Sequence, residues 1–483
     1  MSDTLPVTNP RTGEVDYHVP NHDAGHVAAV AAELRQHQRA WEAAGLAHRS
    51  EVLKAWRGEI AARSEAITAA LAMDTGRFLM ASIETSGTLA RIDHWVREAP
   101  RILGAVGGGT SGMAPSVSYS YRLKPYPVVG VISPWNVPLT LGLIDAMPAL
   151  IGGAAILLKP SEVTPRFAEP LAESIAAVPE LAGVLKIVTG GAETGKALID
   201  HVDAVCFTGS VETGRKVAVH AAERFIPAFL ELGGKDPAIV LESADLENAA
   251  NAILRSAAGL TGQACQSLER IYVARGVFEA FVDRLADKAA AVRVNYPDIH
   301  AGQIGPFIFP PQGAKVQAQI DEAVAKGAKV LCGGQVENLG GGQYLLPTVM
   351  IHVDHSMALM REETFGPVLP VMPFDSVDEA VGLANDSDFG LSAAVFAGSR
   401  EEGEAVAERI HAGGVSVNDA SLTAFVHDVE KNAFCLSGMG GSRMGDAGLT
   451  RFFRKQSIMF QSAPAAPIAM LEEAQCAPGG GDD

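Results

Sequence analysis

The sequence predicts an α/β protein in which two domains follow one another, each built around a parallel sheet. The chain has 483 residues, which exceeds the usual size of a single hydrophobic core, so two or three domains are expected. Between residues 127 and 240, short runs of β-branched apolar residues alternate with helix-length stretches, a pattern typical of βαβ units around a buried parallel sheet. From about residue 242 the alternation begins again. This second alternation indicates a second α/β domain.

Each expected element follows from the spacing of apolar residues. Residues 22–45 and 50–73 are rich in Ala, with apolar positions at intervals of three and four, and predict two surface helices. Strict alternation over 116–124, and a similar pattern near 451–460, predicts two half-exposed strands that reach outward. Strands of the first alternation are expected at 128–132, 155–158, 184–188, 204–207 and 238–241. The second alternation predicts helices at 245–259, 276–291, 312–327 and 376–385, and strands at 329–331, 348–352, 368–372, 392–396 and 414–417.

The composition narrows the kinds of molecule that the protein is expected to bind. The 38 Lys and Arg residues against 56 Asp and Glu residues give a net charge of -18, which argues against nucleic-acid and membrane partners. No apolar stretch reaches the roughly 18 residues of a membrane span and the first residues do not resemble a signal sequence, so a cytoplasmic protein is expected. Five cysteines at irregular spacing fit a reducing compartment and predict no metal site. The segment 462–483 has low complexity and is expected to be mobile.

One cysteine is a candidate nucleophile. Cys265 lies in the run Gly262–Ser267, and Glu231 begins the run Glu231–Lys235; both runs are rich in residues that allow close approach of the backbone. A thiolate attacks an electrophilic carbon far better than a thiol, so such a site must raise the thiolate fraction or supply a base. A carboxylate can also activate the water that cleaves a covalent intermediate. The alternatives are a small buried apolar cysteine and a strand that ends in a turn.

Polar residues follow the first two strands of the first alternation. Asn136, within Ser133–Pro138, comes after the carboxyl end of its strand, where ligands of open α/β sheets bind. Its amide could therefore donate to an oxygen that gains negative charge, and the alternative is an Asn that caps the next helix. Lys159 and Glu162 follow the next strand, where both could bond the hydroxyls of a ribose. As isolated residues, these two would more often be solvated loop charges.

A turn flanked by glycines follows the strand at 204–207. Gly209 and Gly214 stand on either side of the start of a helix near Ser210, and amides at a helix N-terminus attract phosphate oxygens. The spacing differs from the G-x-G-x-x-G fingerprint, so a dinucleotide would be held with fewer main-chain contacts than in a standard Rossmann site. The spacing of the two glycines is weak evidence by itself.

Taken in order, six motifs resemble those of the aldehyde dehydrogenase superfamily, and the likeness extends from about residue 5 to about residue 460. The motifs are Pro134–Pro138, Lys159–Glu162, Phe207–Ser210, Glu231–Lys235, Gly262–Cys265 and Glu362–Val368. The resemblance implies two Rossmann-like α/β domains with a small β oligomerisation arm, and hence a homodimer or homotetramer. The implied parts are an NAD-binding domain (1–107 and 126–233), a catalytic domain (234–440) and the arm (108–125 and 450–461).

The resemblance also assigns roles to residues. Cys265 would attack the aldehyde carbon to form a thiohemiacetal, with Asn136 and the main-chain amide of Cys265 as the oxyanion hole. Transfer of hydride to a nicotinamide would leave a thioester, which water activated by Glu231 hydrolyses to the acid. The implied catalytic residues are Cys265, Glu231, Asn136 and Lys159. The implied cofactor residues are Ile132, Ser133, Trp135, Lys159, Ser161, Glu162, Gly209, Ser210, Gly214, Leu232, Gly233, Glu363 and Phe365.

The choice of cofactor rests on charge. Glu162 at the ribose would accept from the 2′-hydroxyl of NAD and repel a 2′-phosphate, so NAD is expected over NADP. Lys159 keeps NADP open as an alternative. Glu231 argues against transfer of the acyl group to coenzyme A, because members of the family with that activity generally lack a glutamate there.

Departures from the family pattern concern the substrate. The helix side expected to line the substrate tunnel carries Val137, Leu141 and Ile144, which favours an apolar aldehyde, aromatic or long aliphatic. Enzymes of the family that take succinic semialdehyde usually place an arginine on this helix, but Ile144 and Asp145 stand where it would be sought. A Lys or Arg from another loop could replace it. Phe425 could stack on an aromatic substrate or pack at a subunit contact. The expected substrate residues are Val137, Leu141, Ile144, Ala264, Gln266 and Phe425.

Two other classes of function use parts of the same pattern. A thiol esterase or acyltransferase would use Cys265 and Glu231 without redox chemistry, and cofactor-dependent turnover distinguishes it from a dehydrogenase. A non-catalytic binding protein on the same fold is a further alternative, since a fold alone does not imply activity. The joint presence of Asn136, Glu231, Cys265 and Glu363 argues against it.

Overall fold

The computed structural model describes residues 3–471 of the chain. Residues 1–2 and 472–483 lie outside the described part, and with them Cys476 and the second half of the predicted tail 462–483. Two sheets organise the described chain, and each is parallel apart from one antiparallel strand at an edge. The predicted α/β class with parallel sheets is confirmed.

A hairpin, four helices and two outward strands precede the first sheet. They are β1 (Thr4–Thr8), β2 (Val15–Pro20), α1 (Ala24–Ala43), α2 (Gly45–Ala62), α3 (Ser64–Thr75), α4 (Phe78–Gly104), β3 (Gly108–Thr110) and β4 (Val117–Pro125). Helices occupy both segments where they were expected, but the second is divided at Arg63 into α2 and α3. The initial hairpin and α4 have no counterpart among the predicted elements.

The first sheet contains the strands of the first alternation. Its elements are β5 (Val128–Ile132), α5 (Pro138–Gly152), β6 (Ala155–Lys159), α6 (Ala168–Ala176), α7 (Pro179–Ala182), β7 (Leu185–Ile187), α8 (Ala192–His201), β8 (Ala204–Thr208), α9 (Val211–Glu223) and β9 (Ala228–Glu231). The parallel strands lie in the order β9-β8-β5-β6-β7. Because the chain runs outward from β5 in both directions, the strand order reverses between β5 and β8.

The second sheet contains seven strands in the order β12-β15-β16-β11-β10-β18-β19. The elements of this part are β10 (Asp236–Val240), α10 (Leu246–Ala258), β11 (Leu268–Ala274), α11 (Phe278–Ala290), α12 (Pro310–Ala325), β12 (Lys329–Cys332), β13 (Glu337–Leu339), β14 (Gly342–Tyr344), β15 (Thr348–Ile351), α13 (Ala358–Arg361), β16 (Val368–Phe374), α14 (Val377–Asn385), β17 (Phe389–Gly390), β18 (Ser392–Phe396), α15 (Arg400–Ala407) and β19 (Gly414–Val417). Successive residues of its strands face opposite sides and enter separate apolar clusters, as the two-residue period of a strand requires.

Two expectations about strands were wrong. The run at 238–241 was grouped with the first alternation, but it forms β10 and pairs with β11 and β18 of the second sheet. The strand β11 was not predicted, although every residue in it is buried. Two adjacent charges, Glu269 and Arg270, interrupt its apolar run. Their burial depends on partners that are distant in sequence.

The last part of the chain returns to earlier elements. It contains α16 (Leu422–Phe425), β20 (Phe434–Cys435), β21 (Gly438–Met439), α17 (Ala447–Thr450) and β22 (Phe453–Gln461). Strand β21 adds to the edge of the first sheet beside β9, and β22 pairs with β4 along its whole length. The outward strands predicted near 116–124 and 451–460 therefore form one antiparallel arm with β3. Within residues 3–471, no helix is long and apolar enough to cross a membrane.

Candidate active site

A cavity of about 560 Å³, called the first cavity below, opens where β5, β6, β8 and β9 end. The strand order reverses at this edge, and ligands of open α/β sheets bind at such positions. The predicted site residues in its lining are Ile132, Ser133, Trp135, Asn136, Leu141, Lys159, Ser161, Glu162, Gly209, Ser210, Leu232, Gly233, Cys265, Glu363 and Phe365. The structure thus brings the separate motifs to one cavity.

Asn136 is held in place from the side of α4. The buried Arg77, just before α4, donates from Nη2 to the Asn136 carbonyl oxygen over 3.0 Å. The buried Glu84 carboxylate accepts from the amides of Leu139 and Thr140, each at 3.1 Å. It satisfies two of the free N–H groups at the start of α5. A helix that the sequence analysis missed therefore fixes the segment that carries Asn136.

Cys265, the candidate nucleophile, follows a turn of unusual backbone conformation. Leu260, Thr261 and Gly262 have φ angles of 57°, 59° and 68°, a left-handed region that is costly for residues other than glycine and is often found at functional sites. A Cβ at Gly262 would lie 2.2 Å from the carbonyl carbon of Gly366. Position 262 therefore requires glycine. Cys265, which follows this turn, lines the first cavity.

The amide of Asn136 lies beside the turn that carries Cys265. Its Nδ2 donates to the carbonyl oxygen of Gln263 over 2.9 Å. A side-chain amide has two N–H groups. One of them thus fixes the orientation of Asn136. The other is left to donate to a ligand in the first cavity, which Asn136 and Cys265 both line.

The thiol of Cys265 is protonated at neutral pH in the free protein. Burial raises its pKa to about 12, and the nearby charge of Lys431 acts in the opposite direction. The carboxylates of Asp236, Glu363 and Glu231 raise the pKa further. Because the thiolate is the nucleophile, the site must remove this proton before or during attack.

Glu231 lies at the end of β9, where it pairs in register with Thr208. Its side chain is half-buried and does not line the first cavity, which begins at the next two residues, Leu232 and Gly233. Its charge nevertheless acts on the Cys265 thiol. The predicted role of Glu231 as a base remains a prediction.

An ion pair marks the end of the cavity beyond β6. Lys159 is buried and donates from Nζ to the carboxylate of Glu162 over 3.2 Å, whereas Glu162 is about half exposed. Both line the cavity with Ser161. The Glu162 carboxylate keeps free acceptor sites toward solvent, as an acceptor for ribose hydroxyls requires.

The start of α9 supplies the next part of the lining. Ser210 is the N-cap of this helix and accepts from the Thr213 amide over 3.3 Å. Free amides at this N-terminus attract anionic oxygens. Gly214, however, does not line the cavity: a Cβ there would lie 2.4 Å from Leu232. Gly214 lets α9 pack against Leu232, a residue of the lining, and so supports the cavity wall without forming part of it.

The far end of the cavity is formed by Glu363. A Cβ at Gly233 would lie 2.6 Å from either carboxylate oxygen of Glu363, and the Gly234 amide donates to Glu363 Oε1 over 3.2 Å. Burial, followed by the charge of Glu269, raises the pKa of Glu363 to about 7. Gly233 is thus needed for the close approach of this carboxylate, whereas Gly234 makes room for the Cys265 carbonyl oxygen.

Aromatic rings cover the same end. Trp135 packs edge-on against Phe365, with ring centroids 5.3 Å apart, and contacts Phe309 with centroids 6.0 Å apart. All three rings line the cavity. Phe309 precedes α12 and was missed, because an isolated Phe at a helix start carries no motif.

A buried ion pair holds the segment that carries Glu363 and Phe365. Lys235 Nζ donates to Glu269 Oε2 over 2.8 Å and to Thr364 Oγ1 over 2.9 Å. The Glu269 carboxylate also accepts from the amides of Thr364 and Phe365, at 2.8 and 2.7 Å. Sequence reasoning assigned no role to Lys235 or Glu269, and the unusual pair of charges at the start of β11 was the available signal.

The residues present fit a nicotinamide dinucleotide. The cavity joins a carboxylate and lysine suited to a ribose, a helix N-terminus suited to a phosphate, and a second carboxylate beside aromatic rings. The hydroxyl of Ser133, in the lining, is buried without a hydrogen-bond partner among the described residues, and such a group is usually paired in a functional complex. These features are those expected of a dinucleotide cradle.

The predicted substrate residues are distributed more widely. Val137 and Leu141 are half-buried on one side of α5, Ile144 is fully buried on the same side, and Leu141 alone of the three lines the first cavity. Ala264 is half-buried beside Cys265. The Gln266 side chain accepts from the hydroxyl of Thr423. The loop after β19 is therefore attached to the residue that follows the nucleophile.

Phe425 lies elsewhere. Its side chain is 70% exposed and lines another cavity, called the second cavity below, between α4 and the loops around 425–428 and 445–446. His427 lies in the same lining, and its Nε2–H donates to the Ala424 carbonyl oxygen over 2.8 Å.

Comparison with known proteins assigns the family. The sequence model of the aldehyde dehydrogenase family matches residues 1–458. This chain belongs to that family. Its members are oxidoreductases that act on aldehydes and use nicotinamide dinucleotides.

Individual relatives agree with this assignment. The solved structure of a protein from Anabaena variabilis, named as aldehyde dehydrogenase PutA, is 51% identical with a TM-score of 0.94, covering 96% of this chain and 99% of that one. A Mycolicibacterium smegmatis protein named as an NADP(+) succinate-semialdehyde dehydrogenase is 33% identical over 94% of this chain and 88% of its own length. Betaine aldehyde dehydrogenase from Staphylococcus aureus, solved in complex with NAD+, is 27% identical with a TM-score of 0.89, covering 96% of this chain and 93% of that one.

Proposed function

We propose that this protein oxidises an aldehyde to the carboxylic acid with NAD as the preferred oxidant and water as the acyl acceptor. The observation that carries the proposal is the meeting of Cys265 and the Asn136 amide with Glu363, Ser210 and Glu162 in one cavity. Nucleophile, oxyanion donor and dinucleotide cradle are then within reach of a single substrate carbon. An esterase would not need the cradle.

The reaction begins at the thiol. Cys265 Sγ bonds to the aldehyde carbon, and the carbonyl oxygen takes up the electron pair of the broken π-bond. The free N–H of the Asn136 amide and the main-chain amide of Cys265 donate to that oxygen and stabilise its charge. A bound nicotinamide dinucleotide supplies the acceptor for the hydride that leaves the carbon. The product on Cys265 is a thioester.

Glu231 acts on protons at two points. The high pKa of the Cys265 thiol requires a base for the attack, and the half-buried Glu231 carboxylate at the end of β9 is our candidate. After hydride departure and release of the first proton to solvent, Glu231 takes a proton from water, whose oxygen attacks the thioester carbon. The C–S bond breaks, the acid is released, and Cys265 regains its proton.

The preference for NAD follows from Glu162. Its half-exposed carboxylate lines the cavity beside Lys159. A 2′-phosphate would bring about two further negative charges to this carboxylate, whereas the 2′-hydroxyl of NAD would donate to it. Lys159 is already paired with Glu162, so it offers less compensation for a phosphate than a free lysine.

The body of the substrate is apolar in this proposal. Val137, just before α5, and Leu141 within it are half-buried and form one apolar stripe directly after Asn136, above the buried Ile144. An aromatic or long aliphatic chain would bury apolar area against this stripe, which stabilises the complex by about 25 cal/mol for each Å² removed from water.

Assembly through the arm is part of the proposal. Met459 and Phe460 of β22 are 70% and 66% exposed, and Ile458 is 48% exposed. Such apolar side chains on an edge strand are typical of a surface that is covered in an oligomer. We therefore propose a homodimer or homotetramer, with an NAD-binding part at 1–107 and 126–233, a catalytic part at 234–440 and the arm at 108–125 and 450–461.

The test is formation of NADH or NADPH by the purified protein with aliphatic aldehydes, semialdehydes, benzaldehyde and cinnamaldehyde. We expect NADH with the long aliphatic or aromatic members and a loss of at least about 10⁴-fold in kcat for Cys265→Ala. Cys435→Ala removes an exposed thiol that does not line the first cavity and should leave the rate unchanged. Cleavage of activated esters without any redox turnover would instead support the esterase alternative.

A further inference from the structure

One face of the first sheet carries a buried group of charged and polar residues around Glu231. Cys206 and Thr208 of β8 pair in register with Phe229 and Glu231 of β9. Alternate residues of a strand point to the same side of a sheet, and registered neighbours on adjacent strands point together. These four side chains therefore share one face, and Glu231 lies at its end.

Two arginines cover this face and share one acid. Arg443 is buried and donates from Nη2 to Asp145 Oδ2 over 2.7 Å and to Thr208 Oγ1 over 2.8 Å. Arg451 donates to the other oxygen of Asp145, and its guanidinium lies 4.9 Å from the centroid of the Phe229 ring. Both arginines are thus fixed between α5, which carries Asp145, and the strands β8 and β9.

The two arginines differ in their position relative to the proposed base. Arg443 is bonded to Thr208, which is the registered neighbour of Glu231. Arg451 instead lies over Phe229, two residues before Glu231 on β9. The contacts therefore place Arg443 beside Glu231 and Arg451 further back along the strand.

The charge of Glu231 acts on Arg443. Asp145 is one carboxylate between two guanidinium groups, so it does not balance both. Burial lowers the pKa of Arg443, but the charge of Asp145 and then that of Glu231 outweigh burial and raise the pKa overall. Arg443 thus stays positively charged, and Glu231 is the second acid within reach of it.

Glu231 keeps its carboxylate oxygens free. Its half-buried side chain makes no hydrogen bond or ion pair with any residue between 3 and 471, and Arg443 Nε is buried without a hydrogen-bond partner in the same range. A partly buried carboxylate loses hydration, and a nearby positive charge offsets part of that cost. Because Arg443 does this without a direct ion pair, the oxygens of Glu231 remain available to a water molecule.

The other ionisable groups around this face do not titrate near neutral pH. Burial raises the pKa of the Cys206 thiol, which stays protonated. Burial and then the charge of Arg91 lower the pKa of His427 to about 4, so this ring is neutral. Arg91, on α4, remains charged, since burial and then the charge of Arg443 lower its pKa only to about 10. The Cys265 thiol, on which the charge of Glu231 also acts, has a pKa raised by burial to about 12.

We propose that Arg443 is a positioning residue for the proposed base: its fixed guanidinium keeps the Glu231 side chain in place and in its carboxylate form while water attacks the thioester. The inference rests on the proposed function and adds to it a residue that does not line the first cavity. No proton passes through Arg443. Its effect on hydrolysis is carried entirely by Glu231.

The test follows hydrolysis of the acyl-enzyme separately from the redox step. Acylation of the thiol by para-nitrophenyl acetate releases a burst of nitrophenolate, and the slow phase that follows reports hydrolysis of the acetyl thioester. The acidic limb of its pH profile reports the base form. In Arg443→Gln this limb should move to higher pH by about one unit, because a nearby opposite charge favours the carboxylate. Above the limb, the rate should approach that of the wild type.

Two further variants at the same pair of arginines serve as controls. Arg443→Lys keeps a positive charge and should leave the limb close to its wild-type position. Arg451→Gln removes the other guanidinium from Asp145, and each Gln variant leaves that acid one arginine. Both Gln variants should therefore lower the midpoint of urea unfolding to a similar extent. The limb of Arg451→Gln should move less than half as far as that of Arg443→Gln.

A double variant shows whether Arg443 acts through Glu231. In Glu231→Gln the slow phase should lose its acidic limb. Adding Arg443→Gln to this background should then change the rate by less than about twofold at any pH, because two residues that act as one unit are not additive. The steady phase of NADH formation with an aldehyde substrate should give the same set of profiles.

The outcomes separate failure of this inference from failure of the proposed function. A fall of equal size at every pH in Arg443→Gln would assign Arg443 to folding and overturn its role. An equal shift in Arg451→Gln, or a shift that persists in the Glu231→Gln background, would overturn it as well, and NADH formation would still support the proposed function. Absence of hydrolysis from both the ester and the aldehyde would overturn the proposed function and this inference together.

Discussion

The two cavities of this protein are built in different ways. The first is formed by motif residues that require close approach of the backbone: Gly233 admits the Glu363 carboxylate, and Gly262 admits Gly366. Its segments are held by the fully buried pair of Lys235 and Glu269. The second is lined by side chains of α4 and two loops, and none of the six motifs contributes to it.

This difference distinguishes residues that serve the chemistry shared by a family from residues that would set the specificity of one member. A dinucleotide and a thioester impose the same geometry on any protein that handles them, so only a few residue types fit and a motif results. The far end of a substrate imposes no such geometry, so the residues that contact it need not form a motif. The three predictions that follow test how rigid the first cavity is and how sharply its roles are divided.

The largest effect is expected from the pair beneath the first cavity. Glu269→Gln leaves the buried Lys235 ammonium without a counter-charge. We expect the free energy of unfolding to fall by about 3–5 kcal/mol, the usual result of removing one partner of a buried pair. Denaturant unfolding measures this, and the loss of NAD affinity should accompany it because Thr364 and Phe365 lose an acceptor.

The control for this variant is Glu247→Gln, which removes the acid of the surface pair with Lys288. Its unfolding midpoint should be almost unchanged, since exposed pairs contribute little. Equal destabilisation by both variants would contradict the view that the first cavity depends on its buried pair.

A smaller effect is expected when the proposed base is changed. Glu231→Gln should lower steady-state turnover about 100-fold, within the range for loss of a general base. If Glu231 acts on the thioester, a burst of NADH equal to the enzyme concentration should precede the slow phase. Glu223→Gln, at the exposed end of α9, is the control.

The burst also separates the two roles given to Glu231. Absence of a burst, with a slow first turnover, would assign Glu231 to deprotonation of Cys265 and not to hydrolysis. Full activity of Glu231→Gln would contradict both roles.

The smallest effect concerns the cofactor. Glu162→Gln removes a half-exposed charge, so the preference for NAD over NADP, as a ratio of kcat/KM, should fall about 10-fold, which is about 1.4 kcal/mol and in the range for charges near a surface. Initial rates at varied NAD and NADP measure the ratio. Glu173→Gln on α6 carries the same change at an exposed position, and an equal shift there would show a general effect of charge.

Much of the first cavity could be predicted from the sequence because its residues lie in local runs. Asn136, Cys265 and Glu363 each stand beside glycine, proline or aromatic residues that serve the same geometry. The supports could not be predicted in the same way. Arg77, Glu84 and Glu269 act on segments between 55 and 95 residues away, and periodicity carries no signal for such pairs.

The same reasoning explains the errors. Strand β11 was missed because Glu269 and Arg270 resemble exposed charges, whereas the fold gives both of them buried partners. Gly214 was assigned to the cofactor because it belongs to the turn after β8, yet it packs on Leu232. In both cases a local pattern was interpreted without its neighbours.

The sequence by itself determined the α/β class and the family and pointed to Cys265 as the proposed nucleophile, since local runs with strict conformational needs carry that information. Only the tertiary structure decided that Phe425 and Cys265 line different cavities and that one buried carboxylate, Asp145, bonds both Arg443 and Arg451. The physical reason is that charge balance and cavity shape depend on residues from many parts of the chain. No single run of sequence contains them.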